Sequence, residues 1–421
     1  MSEKRKKFSG WSVLVGCFIL MVFPGGMIGY TSGLYMYPIC QELGFATSQY
    51  SICMTIEPCV NVLTSIFLVQ YLSKGTKTSM KAIMLAGAVV LSCGFACMNF
   101  CVKLWQFYAM TAVWNLGYNL LTNIPVAMIL SNWFVEKRAL VTGIAFAGGN
   151  VGGAIFSTAI SSIIKTQGWR YSYLFCGALC LVVTVLAILF LIKRSPAEYG
   201  QSPLGAGSGK AAAEEKPAEA WQGIDKKSAL KTPVFYLICA AMLFTGIYAG
   251  GVTKHVTNYL CTSGWDIVAA GTVSTVFTLF GILGNTCGGT LISKAGIKKG
   301  VLIGGALVIA AMISLIYAAT AKSAAYVYAA CLGLAGFLGV LSPAIIVSAT
   351  FGVKEYAGIF GLTNSFYLAG SALSAPVVAW ISEISSYKTA WIAVIVLVVL
   401  IVLIYFKCVD YGKKLREKTA A

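Results

Sequence analysis

Charged residues are scarce in this chain, making up 11% of 421 residues, whereas 58% of the residues are hydrophobic. A typical water-soluble domain carries about 25% charged residues, so this chain has too few to cover a water-exposed surface. The mean hydropathy of +0.81 agrees with this composition. Lipid must therefore be part of the solvent of this protein, which excludes a soluble enzyme.

The motifs of catalytic and metal sites are also missing. The sequence has a single histidine and contains no GxSxG, HExxH or phosphate-binding glycine loop. Its 14 cysteines include no CxxC pair of the metal-binding type. Most of them stand in apolar runs, where cysteine behaves as a small hydrophobic residue. We therefore expect no enzyme, no disulfide framework, no metal site and no cofactor.

Long apolar runs dominate the rest of the chain. Crossing the hydrocarbon core takes roughly 20 apolar residues in a helix. Twelve such spans are predicted, at about 11–37, 47–72, 80–100, 104–131, 138–164, 171–192, 232–261, 267–292, 300–320, 323–350, 356–382 and 388–407. The predicted fold is an all-α membrane protein of two pseudo-symmetric six-helix bundles, residues 1–192 and 232–421. Residues 193–231, rich in Pro, Gly, Ala, Lys and Glu, are predicted to form a solvated linker.

The distribution of basic residues sets the orientation. The formal net charge is +17, but the basic residues are scattered rather than clustered on one face, which argues against nucleic acid as a partner. With twelve spans, 25 Lys and Arg fall on the side of the termini and the linker, and 5 fall on the opposite side. The positive-inside rule therefore predicts an inner (plasma) membrane protein with both termini cytoplasmic. The basic start is predicted to precede an uncleaved first helix.

Two pairs of loops repeat between the halves. Residues 69–77 (VQYLSKGTK) correspond to 289–299 (GTLISKAGIKK), and residues 135–143 (VEKRALVTG) correspond to 353–361 (VKEYAGIFG). Each pair occupies equivalent places after the second and fourth helices of its half. Repeated halves predict a solute site near the membrane midplane and transport by alternating access.

The first of these loops resembles the G-x-x-x-D-R-x-G-R-K motif of the major facilitator superfamily. Ser73 and Ser293 replace the aspartate that serves the family's charge relay. The basic part is kept, and together with the basic residue before the fifth helix it predicts a cytoplasmic gate formed by Lys74, Lys77, Arg138, Lys294 and Lys298. The resemblance implies the major facilitator fold over nearly the whole chain.

Five further stretches resemble the oxalate/formate antiporter and monocarboxylate porter group. They are Gly10-Trp11, residues 33–44 (GLYMYPICQELG), 132–138 (NWFVEKR), 168–170 (GWR) and 255–259 (HVTNY) followed by Gly264. The resemblance implies transport of small carboxylates. Oxalate carriers of this group use an Arg in the eighth helix and a Lys in the eleventh, and neither is present here. A dianion needs paired cations in a dry pocket, so a monoanion is favoured.

Three ionisable residues fall inside predicted spans, where they are costly and often functional: Glu57, Lys254 and His255. Glu57 is a candidate proton carrier; alternatively it is a packing residue hydrogen-bonded to a neighbouring helix. Lys254 is a candidate anion-binding residue; alternatively it extends to the outer interface. His255 is a candidate for proton coupling or substrate binding, or a buried packing residue. Adjacent helical residues point about 100° apart, so at most one of Lys254 and His255 faces the pathway.

Polar side chains at mid-depth complete a predicted substrate pocket, since Tyr hydroxyls and Asn amides can hold a carboxylate. They are Tyr30, Tyr35, Tyr118, Asn119, Asn123, Asn285, Asn364 and Tyr367. The alternative for about half of them is hydrogen bonding between helices, worth about 0.6 kcal/mol on average. Glycines of residues 143–153 in the fifth span are predicted to serve close helix packing.

These observations predict a secondary active transporter of a small organic monoanion (a monocarboxylate), as an antiporter or a proton-coupled symporter. Its expected partners are the anion, protons or a counter-substrate, and the lipid bilayer, with the chain acting as a monomer. One alternative is a carrier of a larger amphipathic or aromatic acid, because the chain has 22 Phe, 21 Tyr and 9 Trp. A non-transporting membrane sensor is a further alternative, although the linker is too short and polar to fold as a signalling domain. A channel is disfavoured by the repeated halves.

Overall fold

The structure is a computed structural model that describes residues 8–73, 80–193, 195–199, 201–205, 221 and 223–420. Nearly all of these residues are helical. The α-helices are α1 (Gly10–Leu20), α2 (Met36–Leu43), α3 (Thr47–Ser73), α4 (Met80–Cys97), α5 (Leu104–Leu121), α6 (Asn123–Trp133), α7 (Arg138–Leu186), α8 (Lys226–Leu230), α9 (Pro233–Thr262), α10 (Ile267–Ala295), α11 (Ile297–Tyr317), α12 (Lys322–Leu334), α13 (Gly336–Val340), α14 (Ser342–Phe351), α15 (Tyr356–Ile384) and α16 (Tyr387–Ala420). The first span also contains a π-helical stretch, Met21–Tyr30, and a 3-10 turn, Ser32–Tyr35.

Within the described part of the chain, nine helical stretches are long and apolar enough to cross a membrane. The predicted number was twelve, and the difference has local causes. The stretch Leu140–Leu191 is 52 residues long and covers two predicted spans, which continue into one another across a kink at Gly168 (φ 83°, ψ 162°). The predicted span 104–131 is interrupted at Thr122, with φ −103° and ψ −111°. The predicted span 323–350 is divided among three short helices, α12 to α14.

Helix starts in the second half follow ordinary capping chemistry. Thr232 precedes Pro233, the first residue of α9, and its hydroxyl accepts a hydrogen bond from the N–H of Phe235. Asp266 caps α10 by accepting from the N–H of Val268. Side-chain oxygens at this position satisfy N–H groups that have no partner inside the helix, and a proline at the first position loses no helical hydrogen bond.

The chain divides into two compact units, which do not coincide with the two halves of the sequence. The first unit comprises Met1–Thr31, Cys59–Phe156 and Thr166–Lys216, and the second comprises Ser32–Pro58, Ser157–Lys165 and Pro217–Ala421. The second unit therefore includes parts of the first, second and fifth predicted spans. The two pseudo-symmetric bundles, residues 1–192 and 232–421, remain a prediction about the order of the helices along the chain.

Glycines bring helix backbones together in the first unit. A Cβ atom on Gly152 in α7 would lie 2.1 Å from the carbonyl oxygen of Val22, and one on Gly148 would lie 2.7 Å from that of Phe18. These distances are too short for any side chain, so α7 contacts the backbone of the first span directly. The packing role predicted for the glycines of the fifth span is confirmed at these two positions.

The second unit has a similar contact between α9 and α15. A Cβ atom on Gly370 would lie 2.0 Å from the carbonyl oxygen of Leu243, and one on Gly246 would lie 2.2 Å from that of Tyr367. Small residues at such crossings allow close van der Waals packing in a membrane. This contact fixes α9, which carries Lys254 and His255, against α15.

The described ends of the linker form backbone hydrogen bonds with neighbouring segments of the chain. Leu204 donates its N–H to the carbonyl oxygen of Trp133 and accepts from the N–H groups of Val135 and Glu136. At the other end, the N–H of Ile224 donates to the carbonyl oxygen of Phe351 at 3.0 Å. These bonds use the backbone, which composition does not report. They join the linker to the repeated loop 135–143 and to Phe351, the last residue of α14, just before the repeated loop 353–361.

Candidate functional site

Two of the three predicted ionisable residues meet in the second unit. Lys254 Nζ lies 2.8 Å from Glu57 Oε2, and the two side chains are 22% and 14% exposed, respectively. Glu57 is ten residues from the start of α3, and Lys254 is eight residues from the end of α9. At 1.5 Å per residue, Glu57 is about 15 Å from the start of α3 and Lys254 about 12 Å from the end of α9. The sequence predicted both residues as candidates but did not predict that they form a pair.

Ser32 is a second partner of Lys254. Its Oγ accepts a hydrogen bond from Lys254 Nζ at 2.5 Å. Ser32 begins the 3-10 turn of the first span, and this turn lies so close to α9 that a Cβ on Gly33 would be 2.9 Å from the carbonyl oxygen of Lys254. The contacts with Ser32 and Glu57 use two of the three N–H donors of the ammonium group. The sequence analysis missed Ser32. The only indication in the sequence of a close contact at this position was the adjacent Gly33.

His255 faces away from this pair, as expected for the neighbouring helical position. Its side chain is fully buried, with Nε2 2.9 Å from the carbonyl oxygen of Ala375 and Nδ1 3.3 Å from Tyr387 Oη. A carbonyl oxygen only accepts, so we assign the proton to Nε2 and let Nδ1 accept from the Tyr387 hydroxyl. Tyr387 Oη in turn accepts from Asn258 Nδ2 at 2.6 Å. This arrangement satisfies a neutral imidazole and ties α9 to α15 and α16.

The predicted pocket residues of the second unit differ in exposure and partners. Tyr35 is fully buried. Asn364 and Tyr367 are both half-buried on α15, and Tyr367 packs against the hydrophobic core of this unit. Asn285 on α10 has its Oδ1 buried with no hydrogen-bond partner among the described residues. That oxygen is 3.1 Å from a Cβ built on Gly336, so the glycine leaves space beside a buried acceptor.

The predicted pocket residues of the first unit are grouped around the first span and α5. Tyr118 Oη is 3.8 Å from a Cβ built on Gly29, and Tyr30, which is 47% exposed, lies beside Gly149. Asn123 is exposed at the first position of α6.

Asn119 in the same unit hydrogen-bonds between helices, which was the alternative considered for the polar set. It is buried, and its Nδ2 donates to Asn61 Oδ1 and to the carbonyl oxygen of Asn115. The sequence analysis did not single out Asn61. An amide pair of this kind satisfies polar groups that would otherwise be unpaired in hydrocarbon.

Only some of the predicted gate residues can be described. Lys74 and Lys77 lie outside the described residues. Arg138 is exposed at the start of α7, and Lys294 is exposed near the end of α10. Lys298 forms an ion pair with Asp410 of α16, with Nζ 2.6 Å from Oδ1.

A third ion pair of the second unit lies on the surface. Lys165 Nζ lies 2.8 Å from Asp266 Oδ1, and the side chains are 55% and 44% exposed. The hydrogen bond from Lys165 lowers the pKa of the Asp266 carboxyl below its ordinary value. Exposed pairs of this kind contribute little to stability, so this pair contrasts with the mostly buried Lys254–Glu57 pair.

The sequence of this chain matches a known family of transporters. The Major Facilitator Superfamily model matches residues 14–349 and 262–420. Monocarboxylate transporter 7 of Homo sapiens is 31% identical over 192 residues, covering 45% of this chain and 36% of that protein. Monocarboxylate transporter 12-B of Danio rerio is 23% identical over 322 residues, covering 71% of this chain and 66% of that protein. The chain thus spans less than two thirds of either relative.

A solved structure has the same fold over almost its entire length. It is a bacterial homologue of the human lysosomal transporter Spinster, in an inward-facing and occupied conformation. The TM-score is 0.73 at 12% sequence identity, and the superposition covers 98% of both chains. At this identity the similarity establishes the fold and nothing about the solute.

Proposed function

Because the chain belongs to the major facilitator superfamily, we propose that it carries a small organic monoanion, a monocarboxylate, across the plasma membrane by alternating access. Both termini are proposed to be cytoplasmic, from the distribution of basic residues. The observation that carries the proposal is the ion pair between Lys254 and Glu57. The names of the relatives, monocarboxylate transporters in two animals, agree with a carboxylate as the solute.

Lys254 is the proposed anion-binding residue. Among the Lys and Arg residues of the predicted spans it alone lies away from a span end, and its ammonium group already binds one carboxylate, that of Glu57, at 2.8 Å. A substrate carboxylate has the same geometry and charge and can replace Glu57 at this position. One cation matches one negative charge, which favours a monoanion over a dianion.

Glu57 is the proposed proton carrier. The pair is neutral when Glu57 binds Lys254, whereas a substrate anion at Lys254 leaves the Glu57 carboxylate without its counter-charge. An unpaired charge in a largely buried position costs several kcal/mol. Protonation of Glu57 restores neutrality, so the anion and one proton are expected to bind together. This reasoning favours proton-coupled symport over exchange of two anions.

The first experiment identifies the solute. Thermal unfolding of the purified protein is measured against a panel of short monocarboxylates, dicarboxylates and bulky aromatic acids at two pH values, because a ligand of the folded form raises apparent stability. Stabilisation by a short monocarboxylate, stronger at the lower pH, is expected. Stabilisation by the bulky acids alone would replace the proposal with a carrier for larger acids.

The second experiment tests the two residues in proteoliposomes. Glu57→Gln is expected to abolish accumulation driven by a pH gradient while retaining counterflow, since the glutamine cannot exchange a proton. Lys254→Ala is expected to raise the apparent KM for the anion at least tenfold, and Lys254→Arg to raise it less. Glu383→Gln, a carboxylate of the same unit that binds the N–H of Ser48 instead, is the control. Retained pH-driven accumulation in Glu57→Gln, or an unchanged KM in Lys254→Ala, would contradict the proposal.

A further inference from the structure

A proline in α15 leaves one backbone carbonyl without its helical partner. In an α-helix the N–H of residue i donates to the carbonyl oxygen of residue i−4. Pro376 lies inside α15 and has no N–H, so the carbonyl oxygen of Ala372 loses the donor that an ordinary residue would supply. In a membrane, where water is excluded, such a carbonyl needs a replacement donor.

Thr55 supplies that donor from another helix. Its Oγ1 donates to the carbonyl oxygen of Ala372 at 2.7 Å, which joins α3 to α15 within the second unit. Threonine in a helix usually donates to a carbonyl of its own preceding turn, as Thr253 does with Ala249. The bond of Thr55 is therefore a contact between helices at the position where Pro376 made an acceptor available.

The location of this bond relates it to Glu57. Thr55 is two residues before Glu57, and Glu57 is followed by Pro58, which also lacks an N–H. The helical hydrogen bond from residue 58 to the carbonyl oxygen of Met54 is therefore missing, in the turn of α3 that contains Glu57. Nearer its start, α3 is attached to the same helix, since the N–H of Ser48 donates to Glu383 at 2.8 Å. The segment from Ser48 to Thr55 is thus attached to α15 at both ends, and Glu57 extends from it.

We propose that Thr55 is a positioning residue, whose hydrogen bond to the carbonyl oxygen of Ala372 holds the Glu57 carboxylate against Lys254. The inference rests on the proposed function, because positioning matters only if Glu57 carries the proton. Thr55 is not proposed to touch the anion or the proton. Its effect is on the pH dependence of transport, through the position of Glu57 relative to its counter-charge.

The test compares variants by the pH dependence of uptake in proteoliposomes. Thr55→Val keeps the shape of the side chain and removes the hydroxyl, so Glu57 is held less firmly beside the counter-charge that favours its ionised form. The midpoint of the pH profile is expected to rise by about half a unit, with less than a twofold change in KM at the optimal pH. Thr55→Ser keeps the donor and is expected to retain the wild-type midpoint.

A second substitution tests the origin of the bond. Pro376→Ala restores an N–H that competes with Thr55 for the Ala372 carbonyl, so this variant alone is expected to shift the midpoint in the same direction as Thr55→Val. Adding Thr55→Val to the Pro376→Ala background is then expected to cause little further shift. Thr278→Val is the control, because that buried hydroxyl bonds only carbonyls of its own helix among its described contacts. It is expected to have the wild-type profile.

The possible results distinguish a failure of the positioning role of Thr55 from a failure of the proposed function. A wild-type midpoint in Thr55→Val, in a protein whose Glu57→Gln variant has lost pH-driven accumulation, overturns the positioning role alone. Reduced folded protein and maximal rate with an unchanged midpoint overturns it as well, since that is the result of a purely structural contact. Retained pH-driven accumulation in Glu57→Gln overturns both proposals.

Discussion

Gly26 and Gly152 contact each other through their backbones: a Cβ on Gly26 would lie 2.3 Å from the Cα of Gly152. Gly26 belongs to the π-helical stretch of the first span, which contains Pro24, and Gly152 belongs to α7. At such a distance neither position accepts even a methyl group. The crossing of these two helices in the first unit therefore depends on two residues without side chains.

Gly152→Ala is expected to destabilise the protein by about 1–3 kcal/mol or more, because the added methyl group would force the helices apart. Gly143→Ala is the matched control. It is in the same helix with nothing within 4 Å of the added Cβ, so the better helix propensity of alanine should leave stability unchanged or raise it by up to about 1 kcal/mol. Thermal unfolding in detergent measures both. Equal effects of the two substitutions would contradict the proposed contact.

The Lys254–Glu57 pair should show strong coupling in a double-mutant cycle. Glu57→Gln or Lys254→Gln alone leaves one mostly buried charge unpaired, which costs up to about 3–5 kcal/mol for a fully buried pair and less here, because both side chains keep some exposure. The double variant removes both charges and should recover much of the loss. Additive losses would show that the two groups do not interact in the folded protein.

His255→Gln is expected to retain pH-driven accumulation, because both ring nitrogens of His255 already contact Ala375 and Tyr387 rather than the Lys254–Glu57 pair. Stability should fall by about 1–3 kcal/mol, as when one partner of a buried hydrogen bond is lost. Uptake driven by a pH gradient and thermal unfolding measure the two effects. Loss of accumulation in a stable His255→Gln protein would make His255 the proton carrier.

The glycines at the linker ends provide a test of its attachment to the loops. Gly205 (φ 92°) and Gly223 (φ 80°) both have positive φ, and a Cβ at these positions would lie 2.5 Å from Glu136 Cβ and 1.9 Å from the carbonyl oxygen of Phe351. Gly264 has a similar φ of 88° with nothing within 4 Å. Alanine at all three positions incurs the backbone cost of about 1–2 kcal/mol, but only Gly205→Ala and Gly223→Ala also clash with the loops.

Gly205→Ala and Gly223→Ala should therefore lower the unfolding temperature more than Gly264→Ala. In Gly223→Ala the bond between Ile224 and Phe351 is also expected to open, so trypsin should cleave after Lys226 or Lys227 faster than in the wild type. Equal behaviour of all three variants would show that the attachment of the linker contributes nothing beyond backbone conformation.

The surface pair Lys165–Asp266 predicts a small, pH-dependent effect. Because the folded-state pKa of Asp266 is lowered, its contribution to stability is present above the ordinary aspartate pKa of about 3.9 and is lost as the pH falls through the lower folded-state value. Asp266→Asn keeps a good helix cap and should cost less than about 1 kcal/mol at neutral pH. Its difference from wild type, measured by thermal unfolding, should disappear in acid; a constant difference would exclude the ion pair as its source.

The sequence was sufficient for the features that depend on composition and spacing. Apolar length predicted a helical membrane protein, and the glycines at 148 and 152 predicted close packing because no other residue permits it. Glu57 and Lys254 stood out because charge is costly in hydrocarbon. Which groups would pair was not predictable, since it depends on how the helices are rotated: the same one-dimensional pattern allows His255, rather than Lys254, to face Glu57.

Features that depend on backbone conformation also could not be predicted from the sequence. The break at Thr122 has no proline or glycine at that residue, and the bonds of Leu204 to the loop at Trp133 use no side chain. Ser32 could not be singled out by its residue type, because serine is common in membrane helices. Pro376 was the exception, since its missing N–H could have been read from the sequence and identifies Ala372 as the carbonyl that needs a new donor.

The bond between Thr55 and Ala372 predicts how positions 55 and 376 vary together among related transporters. Positions 55 and 376 are far apart in the chain, yet a proline at one creates the need for a hydroxyl donor at the other. Related transporters that keep the proline should have threonine or serine at the position of Thr55. Those in which another residue replaces the proline are released from that requirement, so valine or alanine should appear at position 55 mainly in their lineages.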